Sequence, residues 1–292
     1  MVVNPFTFEA TPGYLKWRVK CVQGFTGQPT YGFAEVEFRA TVGGADQASG
    51  GTAVSGSNFS GAFLPAAAFD NNTSTDWVSA SGSVVGDYIE YDFASAVDVQ
   101  EVSLTGRSST NNSNPRIADI EFYDGATWVR AWQAVFGSWT TGETKTSAKL
   151  SDYTNNRWRI RTTSNDSAAV FGLSEVEMRI VAGGTDQCGG GRAYASGEFN
   201  GGFYAENAFD NSNSTDWASA NGAGVGSWIA YDFMANRDIV EVVMRSRSSG
   251  GTEAGRAYDV EKFNFSTFAW DNVWSFSTSS WSAGETRTFT KP

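Results

Sequence analysis

The sequence predicts an all-β protein, a sandwich or barrel built from short antiparallel strands. Apolar and polar residues alternate in short runs, and clusters of Gly, Asn and Ser separate these runs. Such runs are typical of strands with one buried face, and the separating residues are typical of turns. The chain also has 32 Gly and 11 Trp, and no stretch shows sustained helical periodicity. These three observations together favour an all-β class.

The clearest strands place an apolar residue at every second position. This alternation suits antiparallel sheets that have one face on the core and one face in water. The residues that we expect to face the core are Ile89, Tyr91 and Phe93, then Val176, Met178 and Ile180, then Ile229, Tyr231 and Phe233.

Composition excludes several classes of function. The formal net charge is −11, from 32 acidic and 21 basic residues, without a clustered basic stripe. We therefore expect no nucleic-acid partner, and no membrane insertion because no apolar run is long enough to span a bilayer. Residues 1–5 lack the charged and apolar regions of a secretory signal, so no signal peptide is visible.

Histidine is absent, and Cys21 and Cys188 are the two cysteines of the chain. The absence of His removes the commonest general base and rules out a Ser–His or Cys–His nucleophile and a His-ligated zinc site. Two cysteines form neither a disulfide framework nor a metal cluster. We therefore predict that the protein is not an enzyme.

One oxygen-rich stretch occurs twice, at 68–77 and at 208–217, an offset of 210 − 70 = 140 residues. Each copy ends in Trp after a run of Asp, Asn, Ser and Thr, residues that favour side-chain-bonded turns. Other segments keep the same offset, which makes the repeat secure. The matching pairs are 43–47 with 183–187, 91–93 with 231–233, and 107–109 with 247–249.

The repeat is circularly permuted. The pieces that follow the first copy, 158–161 and 171–179, have counterparts at 17–20 and 31–39, near the other end of the chain. We therefore predict one continuous domain over 45–184 and a second domain made of 185–292 plus 1–44, closed by the N-terminal strands. A sandwich without its last strands would expose an apolar face and open edges. Closure within one chain is favoured, and exchange between neighbouring subunits, which gives a homo-oligomer, is the alternative.

The cysteines offer a check on this arrangement. Under the permuted reading Cys21 and Cys188 belong to the same domain, so we expect them to be neighbours in space, either bonded or as two small buried hydrophobes.

In three motifs the chain resembles the discoidin or coagulation-factor C-type domain, and most closely the family 32 carbohydrate-binding modules. The first motif is the Asp…Thr-Asp-Trp loop at 70–77 and 210–217, with Asn71 and Asn211 where the family has Gly. The second is the central strand and hairpin at 114–128, and the third is the pair of last strands at 158–161 and 172–177. The resemblance implies two jelly-roll-like antiparallel β-sandwiches of the galactose-binding-domain fold.

The resemblance also implies a structural calcium ion beside each loop, held by a loop Asp, loop oxygens, a Thr and a Glu from the last strand. The alternative is an Asx-rich turn in which Trp77 and Trp217 are core residues. Carried over by position, the first site would use Asp70, Asn72, Thr75 and Glu175, and the second would use Asp210, Ser212, Thr215 and Glu35.

Sugar sites in the family lie in loops at one end of the sandwich and combine an Arg, an aromatic face and amide partners. The matching candidates are Arg107 and Arg247, Phe59 and Phe199, and the amides Asn111 and Asn112 of the first domain. The alternative is that these arginines are surface or interface residues.

Together these features predict a non-enzymatic protein that binds carbohydrate or another surface polymer through tandem lectin-like domains, with avidity from two copies. The setting that we expect is a bacteriophage virion, as a tail or capsid-decoration component, or an extracellular cell surface. Its partners would be a glycan, a cell-surface polymer or other virion proteins. The alternative is a purely structural assembly protein that uses the sandwich loops for protein–protein contacts. Glycoside hydrolysis by paired carboxylates is disfavoured, because the prominent acids recur with the fold motifs.

Overall fold

The computed structural model describes residues 13–109, 113–149, 156–166 and 169–292. The chain divides into two compact units, Met1–Leu150 and Ser151–Pro292. In the described ranges no helix is long and apolar enough to cross a membrane.

The first unit contains ten strands and one short 3₁₀ helix among its described residues. The strands are β1 (Tyr14–Gln23), β2 (Gly32–Phe33), β3 (Glu35–Arg39), β4 (Thr52–Ser55), β5 (Trp77–Val78), β6 (Tyr88–Val97), β7 (Glu101–Thr105), β8 (Ile117–Tyr123), β9 (Trp128–Val135) and β10 (Thr144–Ala148), and the 3₁₀ helix is Pro65–Ala68.

The second unit contains nine strands and two 3₁₀ helices among its described residues. The strands are β11 (Arg157–Ser164), β12 (Gly172–Arg179), β13 (Arg192–Ala195), β14 (Trp217–Ala218), β15 (Trp228–Asp232), β16 (Glu241–Ser246), β17 (Ala257–Asn264), β18 (Ala269–Ser277) and β19 (Thr286–Thr290), and the 3₁₀ helices are Ala205–Ala208 and Gly251–Ala254.

Each unit has a five-stranded sheet in which equivalent strands follow the same order. The order is β4-β6-β1-β8-β9 in the first unit and β13-β15-β11-β17-β18 in the second. The facing sheets are β10-β7-β3, beside the pair β2-β5, and β14-β12-β16-β19. All of the strand pairings are antiparallel, which confirms the predicted all-β class and antiparallel sheets.

The core of the second unit lies between its two sheets. Trp158 and Ile160 of the five-stranded sheet share one buried cluster with Val176 and Met178 of the facing sheet. Two sheets that bury their inner faces against each other form a sandwich, as predicted. Ile180 departs from the predicted alternation, because β12 ends at Arg179 and the Ile180 side chain is exposed.

The N-terminal strands complete the first unit, which corrects the predicted domains of 45–184 and of 185–292 plus 1–44. β1 pairs with β6 and β8, and β3 pairs with β7. The equivalent segment of the second unit is β11 and β12, which the predicted boundaries place at the end of the first domain. Both segments carry the same strand pattern, so the pattern does not decide the partner. For the N-terminal strands the short connection from β3 to β4 decides the partner, because closing a shorter loop costs less conformational entropy.

Hydrogen bonds hold the connection between β3 and β4 close to its strand. The Phe38 amide donates to Asp46 Oδ1 at 2.9 Å, and the Gln47 amide donates to the Phe38 carbonyl at 2.8 Å. Met178, Asp186 and Gln187 repeat both bonds in the second unit. The first strands of each unit are thus tied to the strands that follow them in the chain.

The prediction that the two cysteines belong to the same domain is wrong for the same reason. Cys21 lies in β1 of the first unit, and Cys188 precedes β13 in the second. Both are free thiols and both are buried.

Candidate functional site

An ion pair holds the candidate sugar-binding arginine of the first unit. Arg107 lies just after β7, and its Nε donates to Asp76 Oδ2 at 3.1 Å. The two side chains are 12% and 9% exposed. The guanidinium carbon lies 5.6 Å from the centre of the Phe63 ring. Because Asp76 directly precedes the buried Trp77, the end of the oxygen-rich loop positions the arginine.

Arg107 and Phe59 line the same cavity, which has a volume of about 300 Å³. The Phe59 ring is 54% exposed and meets Phe63 edge-on, with 5.9 Å between the ring centroids. The cavity therefore combines an apolar wall with a few polar groups, as small-ligand sites do. Its lining residues are Gln28, Pro29, Thr30, Phe59, Phe63, Val78, Arg107 and Ser113.

Sequence reasoning missed the residues that shape this cavity from the segments before β2 and β8. Asn114 is buried and its Nδ2 donates to the Gly32 carbonyl at 2.8 Å, while the Gly32 amide donates to the Ser113 carbonyl at 2.8 Å. These bonds join the two segments behind the cavity. The sequence did contain a signal for a difference between the two sites. The 140-residue offset pairs Ser113 with Glu253, so the repeat is broken at this position.

In the second unit that departure changes the site. Arg247 Nε donates to Asp216 Oδ2 at 3.2 Å, and its guanidinium carbon lies 4.9 Å from the Phe203 ring centre, much as in the first unit. Arg247 also forms an ion pair with Glu253, from the 3₁₀ helix Gly251–Ala254. Two carboxylates thus pair with this arginine. Phe199 remains 45% exposed beside Phe203.

The amide candidates Asn111 and Asn112 lie outside the described residues.

Each oxygen-rich loop closes through its own Asp and Thr. In the first loop, the Asn72 amide donates to Asp70 Oδ1 at 2.9 Å, and Thr75 Oγ1 donates to Asp70 Oδ2 at 2.8 Å. Asn71 has φ +57°, the left-handed conformation that Asn and Gly tolerate best. The Asn that replaces the family Gly therefore keeps the turn.

The second loop has the same bonds. The Ser212 amide donates to Asp210 Oδ1 at 2.8 Å, and Thr215 Oγ1 donates to Asp210 Oδ2 at 2.7 Å. Asn211 repeats the left-handed conformation with φ +59°.

Each predicted set of calcium ligands contains the wrong glutamate, because Glu35 and Glu175 lie beside the opposite loops. Glu35 accepts a hydrogen bond from the Asn72 amide at 3.1 Å, so it belongs to the first loop rather than the second. Glu175 lines a cavity of about 220 Å³ together with Asn213 of the second loop, so it does not belong to the first. The exchange follows from the closure of each unit by the strands at its own start.

Both glutamates ionise with difficulty. Burial, with a smaller contribution from the charge of Asp70, raises the pKa of Glu35 to about 7. Burial raises the pKa of Glu175 to about 8, and the charge of Asp210 adds to this effect although the Val176 amide opposes it. A nearby cation stabilises the charged form of a glutamate whose pKa is raised in this way.

The oxygen donors of these loops suit a hard cation such as calcium, which takes carboxylate, carbonyl and hydroxyl oxygens. In the second unit Glu175 Oε2 is buried and accepts no hydrogen bond within the described part of the chain. Each loop brings together two carboxylates, one from Asp and one from Glu. Groups of three or more acidic, His or Cys side chains with metal-binding geometry do not occur among the described residues.

The fold is an antiparallel β-sandwich with a cavity among its loops. The family model of the F5/8 type C domain matches residues 52–176. These residues are therefore similar to the F5/8 type C, or discoidin, domain. Such domains are generally non-catalytic modules that bind carbohydrates or proteins, and they are typically extracellular or surface-associated. Comparisons with curated proteins and with solved structures give no match.

The matched segment crosses the boundary between the two structural units. It begins at the first residue of β4, in the first unit, and ends within β12, in the second. In the linear order of the family, residues 157–176 follow the strands of the first unit as its last strands. In the structure they pair with the second unit instead.

Proposed function

We propose that the protein is a non-enzymatic module that binds a glycan or another surface polymer through the cavity of its first unit. The observation that carries this proposal is the meeting of Arg107, Phe59 and Phe63 at one open cavity in loops at one end of a discoidin-type sandwich. The binding of carbohydrates by this family supports the class of ligand.

The chemistry of the cavity favours a neutral sugar. A pyranose ring presents an apolar face that packs on an exposed aromatic ring, and Phe59 offers such a ring. The Arg107 guanidinium and the polar groups of Gln28 and Ser113 would hydrogen-bond the hydroxyls of the sugar. Because the Asp76 carboxylate already offsets the charge of Arg107, an anionic ligand would gain little additional attraction.

The second unit serves this function less well. Glu253 stands where the first unit has Ser113 and pairs with Arg247, so a sugar would have to displace that carboxylate. We therefore place the proposed glycan site in the first unit, with Arg247 and Phe199 as structural or contact residues of the second.

We propose calcium as a structural cofactor, one ion per unit. The first ion would be held by Asp70, Asn72, Thr75 and Glu35, and the second by Asp210, Ser212, Thr215 and Glu175. The ion would fix the loop and offset the two carboxylates. The raised pKa of each Glu and the unpartnered Glu175 Oε2 support this proposal.

The setting that we propose is surface attachment, with a bacteriophage virion component as its specific form. Its partners would be a cell-surface glycan or other virion proteins. The alternative is a structural assembly protein, and the exposed Phe199 and Val225 of the second unit favour a protein contact there.

A glycan array with purified protein tests the main proposal. We expect Arg107→Ala and Phe59→Ala to lose binding, whereas the matched variants Arg247→Ala and Phe199→Ala keep it. Circular dichroism confirms that each variant is folded. An array without any signal, or equal losses from both units, would contradict the proposal and favour the assembly protein.

Calorimetry tests calcium. After removal of divalent ions with a chelator, titration with calcium should release heat and raise the melting temperature. Asp70→Asn and Asp210→Asn should each remove one binding event. A titration without heat and without a melting shift would exclude the proposed ions while leaving the glycan proposal open.

A further inference from the structure

The closing segments of the two units, 14–39 and 157–179, make the same ladders with their sheets. In the first unit Trp17 is opposite Tyr91 and Phe122, and Val19 is opposite Ile89 and Ile120. In the second unit the equivalent positions keep the same registers. There Trp158 is opposite Tyr231 and Lys262, and Ile160 is opposite Ile229 and Val260. Backbone pairing therefore does not distinguish one segment from the other.

The ion pairs of the two segments are equivalent too. Arg18 contacts Glu121 at 2.6 Å, and Arg159 pairs with Glu261 at the equivalent place. At the end of the next strand, Arg39 contacts Glu101 at 2.7 Å. Its counterpart Arg179 contacts Glu241 at 2.9 Å. Either segment would find an acidic partner for each of these cations in either unit.

One buried atom of the first unit is better satisfied by the segment of the second. Asp76 Oδ1 is buried and has no hydrogen-bond partner in the part of the chain that the structure describes. Its counterpart Asp216 Oδ1 accepts a hydrogen bond from Ser174 Oγ at 2.6 Å, and position 34 of the first unit holds Ala instead. Residues 157–179 include Ser174, whose hydroxyl could donate a hydrogen bond to Asp76 Oδ1.

The family match gives a further, independent indication. Residues 52–176 fit the F5/8 type C domain in unbroken order, so 157–176 have the sequence of last strands for the first unit. The same residues close the second unit in the structure.

We propose that two copies of this chain exchange closing segments, with residues 157–179 of one copy completing 52–148 of the other. The displaced segment 14–39 of the second copy then completes 192–290 of the first. Two chains in this arrangement form four complete sandwiches, with the same number of ladders and ion pairs as two separate copies. Domain swapping between protomers is a low-cost route to a dimer, and here the two exchanged segments are equivalent rather than identical.

The exchange requires one segment to leave its sheet before another enters. The Phe38–Asp46 bond and its counterpart at Met178 and Asp186 oppose this step in the folded protein. We therefore expect exchange when the full chain refolds from denaturant at high protein concentration, and little exchange in protein that stays folded.

A disulfide across β7 reports which segment is present. Glu37 in β3 is directly opposite Ser103, and Glu177 occupies the same place in β12. Both glutamates are partly exposed at 28% and pair with the Arg two residues later, so Glu37→Cys and Glu177→Cys are matched changes. The pair Glu37→Cys with Ser103→Cys should crosslink within one folded chain, and it shows that the geometry allows the bond.

The decisive variant combines Glu177→Cys with Ser103→Cys. Equal amounts of ¹⁵N-labelled and unlabelled chain are refolded together, oxidised and separated by size. We expect a dimer in which mass spectrometry finds residue 103 of one isotope joined to residue 177 of the other. A chain locked beforehand by the 37–103 disulfide should remain monomeric.

Three results would overturn the proposal. They are refolding to monomer alone, a dimer without the 103–177 linkage, and a 103–177 linkage confined to single chains.

Discussion

Replacement of Glu35 by Gln should change how the stability of the first unit depends on pH. Glu35 is 5% exposed, and the negative charges of Asp70, Asp46 and Glu37 act on its carboxyl. Its folded pKa of about 7 lies above the ordinary value of 4.5, so ionisation is harder in the folded state than in the unfolded state. The stability that this group contributes is therefore fully present below pH 4.5, and it is lost as the pH rises through about 7.

The expected size follows from the difference between those two pKa values. At 1.36 kcal/mol per pH unit, the wild type should lose about 2.5 kcal/mol relative to Glu35→Gln between pH 5 and pH 8. Because water partly screens the neighbouring Asp70, about 2 kcal/mol is the value that we expect to measure. Gln keeps the shape and an oxygen that accepts the Asn72 hydrogen bond, so little else changes.

Urea unfolding with a chelator present, at pH 5 and at pH 8, measures this difference. Hydrogen exchange of peptides around residues 70–78 assigns the transition to the first unit, and Glu175→Gln is the matched change in the second. If the free energies of unfolding of wild type and Glu35→Gln differ by the same amount at both pH values, the raised pKa of Glu35 is refuted.

Four other sets of substitutions test separate contacts. Ala34→Ser should stabilise the first unit by about 1 kcal/mol, because its hydroxyl can donate to the buried Asp76 Oδ1, and Ser174→Ala should destabilise the second unit by about 1–2 kcal/mol. Urea unfolding of both variants measures these changes in stability. If both substitutions changed the stability in the same direction, the proposed role of the hydroxyl would be contradicted. Asn71→Ala should lower the stability of the first unit by about 1 kcal/mol because of its left-handed φ, whereas Asn71→Gly should not, as thermal melts can show. Glu253→Ser should release Arg247 for a second binding event, and a sugar titration that still shows one event per chain would count against this role of Glu253. Trp158→Ala should cost about 3–5 kcal/mol, since the indole is 1% exposed at the centre of the core, and a small loss in urea unfolding would mean that the core relaxes around it.

The sequence predicted the class of fold because the period-two pattern depends only on which residues face the core. Ile89, Tyr91 and Phe93 alternate with polar residues and are all buried. Trp77 and Trp217 are fully buried at the ends of the two loops, so their recurrence marked structural anchors. The loops themselves follow from the hydrogen-bonding chemistry of Asp and Thr at fixed spacing.

Strand partnership could not be predicted from that pattern. Segments 14–39 and 157–179 carry the same alternating residues and the same charges, so their fit to either sheet is nearly equal. Local bonds such as Phe38–Asp46, together with the short connection from β3 to β4 for the N-terminal segment, then decide between the partners. These features leave no periodic signal. The predicted loops of Glu35 and Glu175 are wrong for the same reason, because each Glu follows the strand segment that carries it.

Partial prediction of the candidate site has a similar origin. Arg107 and Phe59 lie in segments that the repeat made visible, and they line one cavity. Glu253 was missed because it replaces a small polar residue in a loop where the two copies differ. Its effect depends on a three-dimensional contact with Arg247 rather than on spacing along the chain.

The position of the closing strands at the start of each unit has a consequence for evolution by duplication. A whole unit of this kind carries every strand that its two sheets need, so a recombination break near residues 150 and 151 separates complete sandwiches. A break at the edges of the family match would instead remove β1 and β3 from one sheet pair and split β12. A duplication or deletion whose ends follow the structural units therefore adds or removes a whole sandwich and leaves no strand unpaired. One whose ends follow the family boundaries does not.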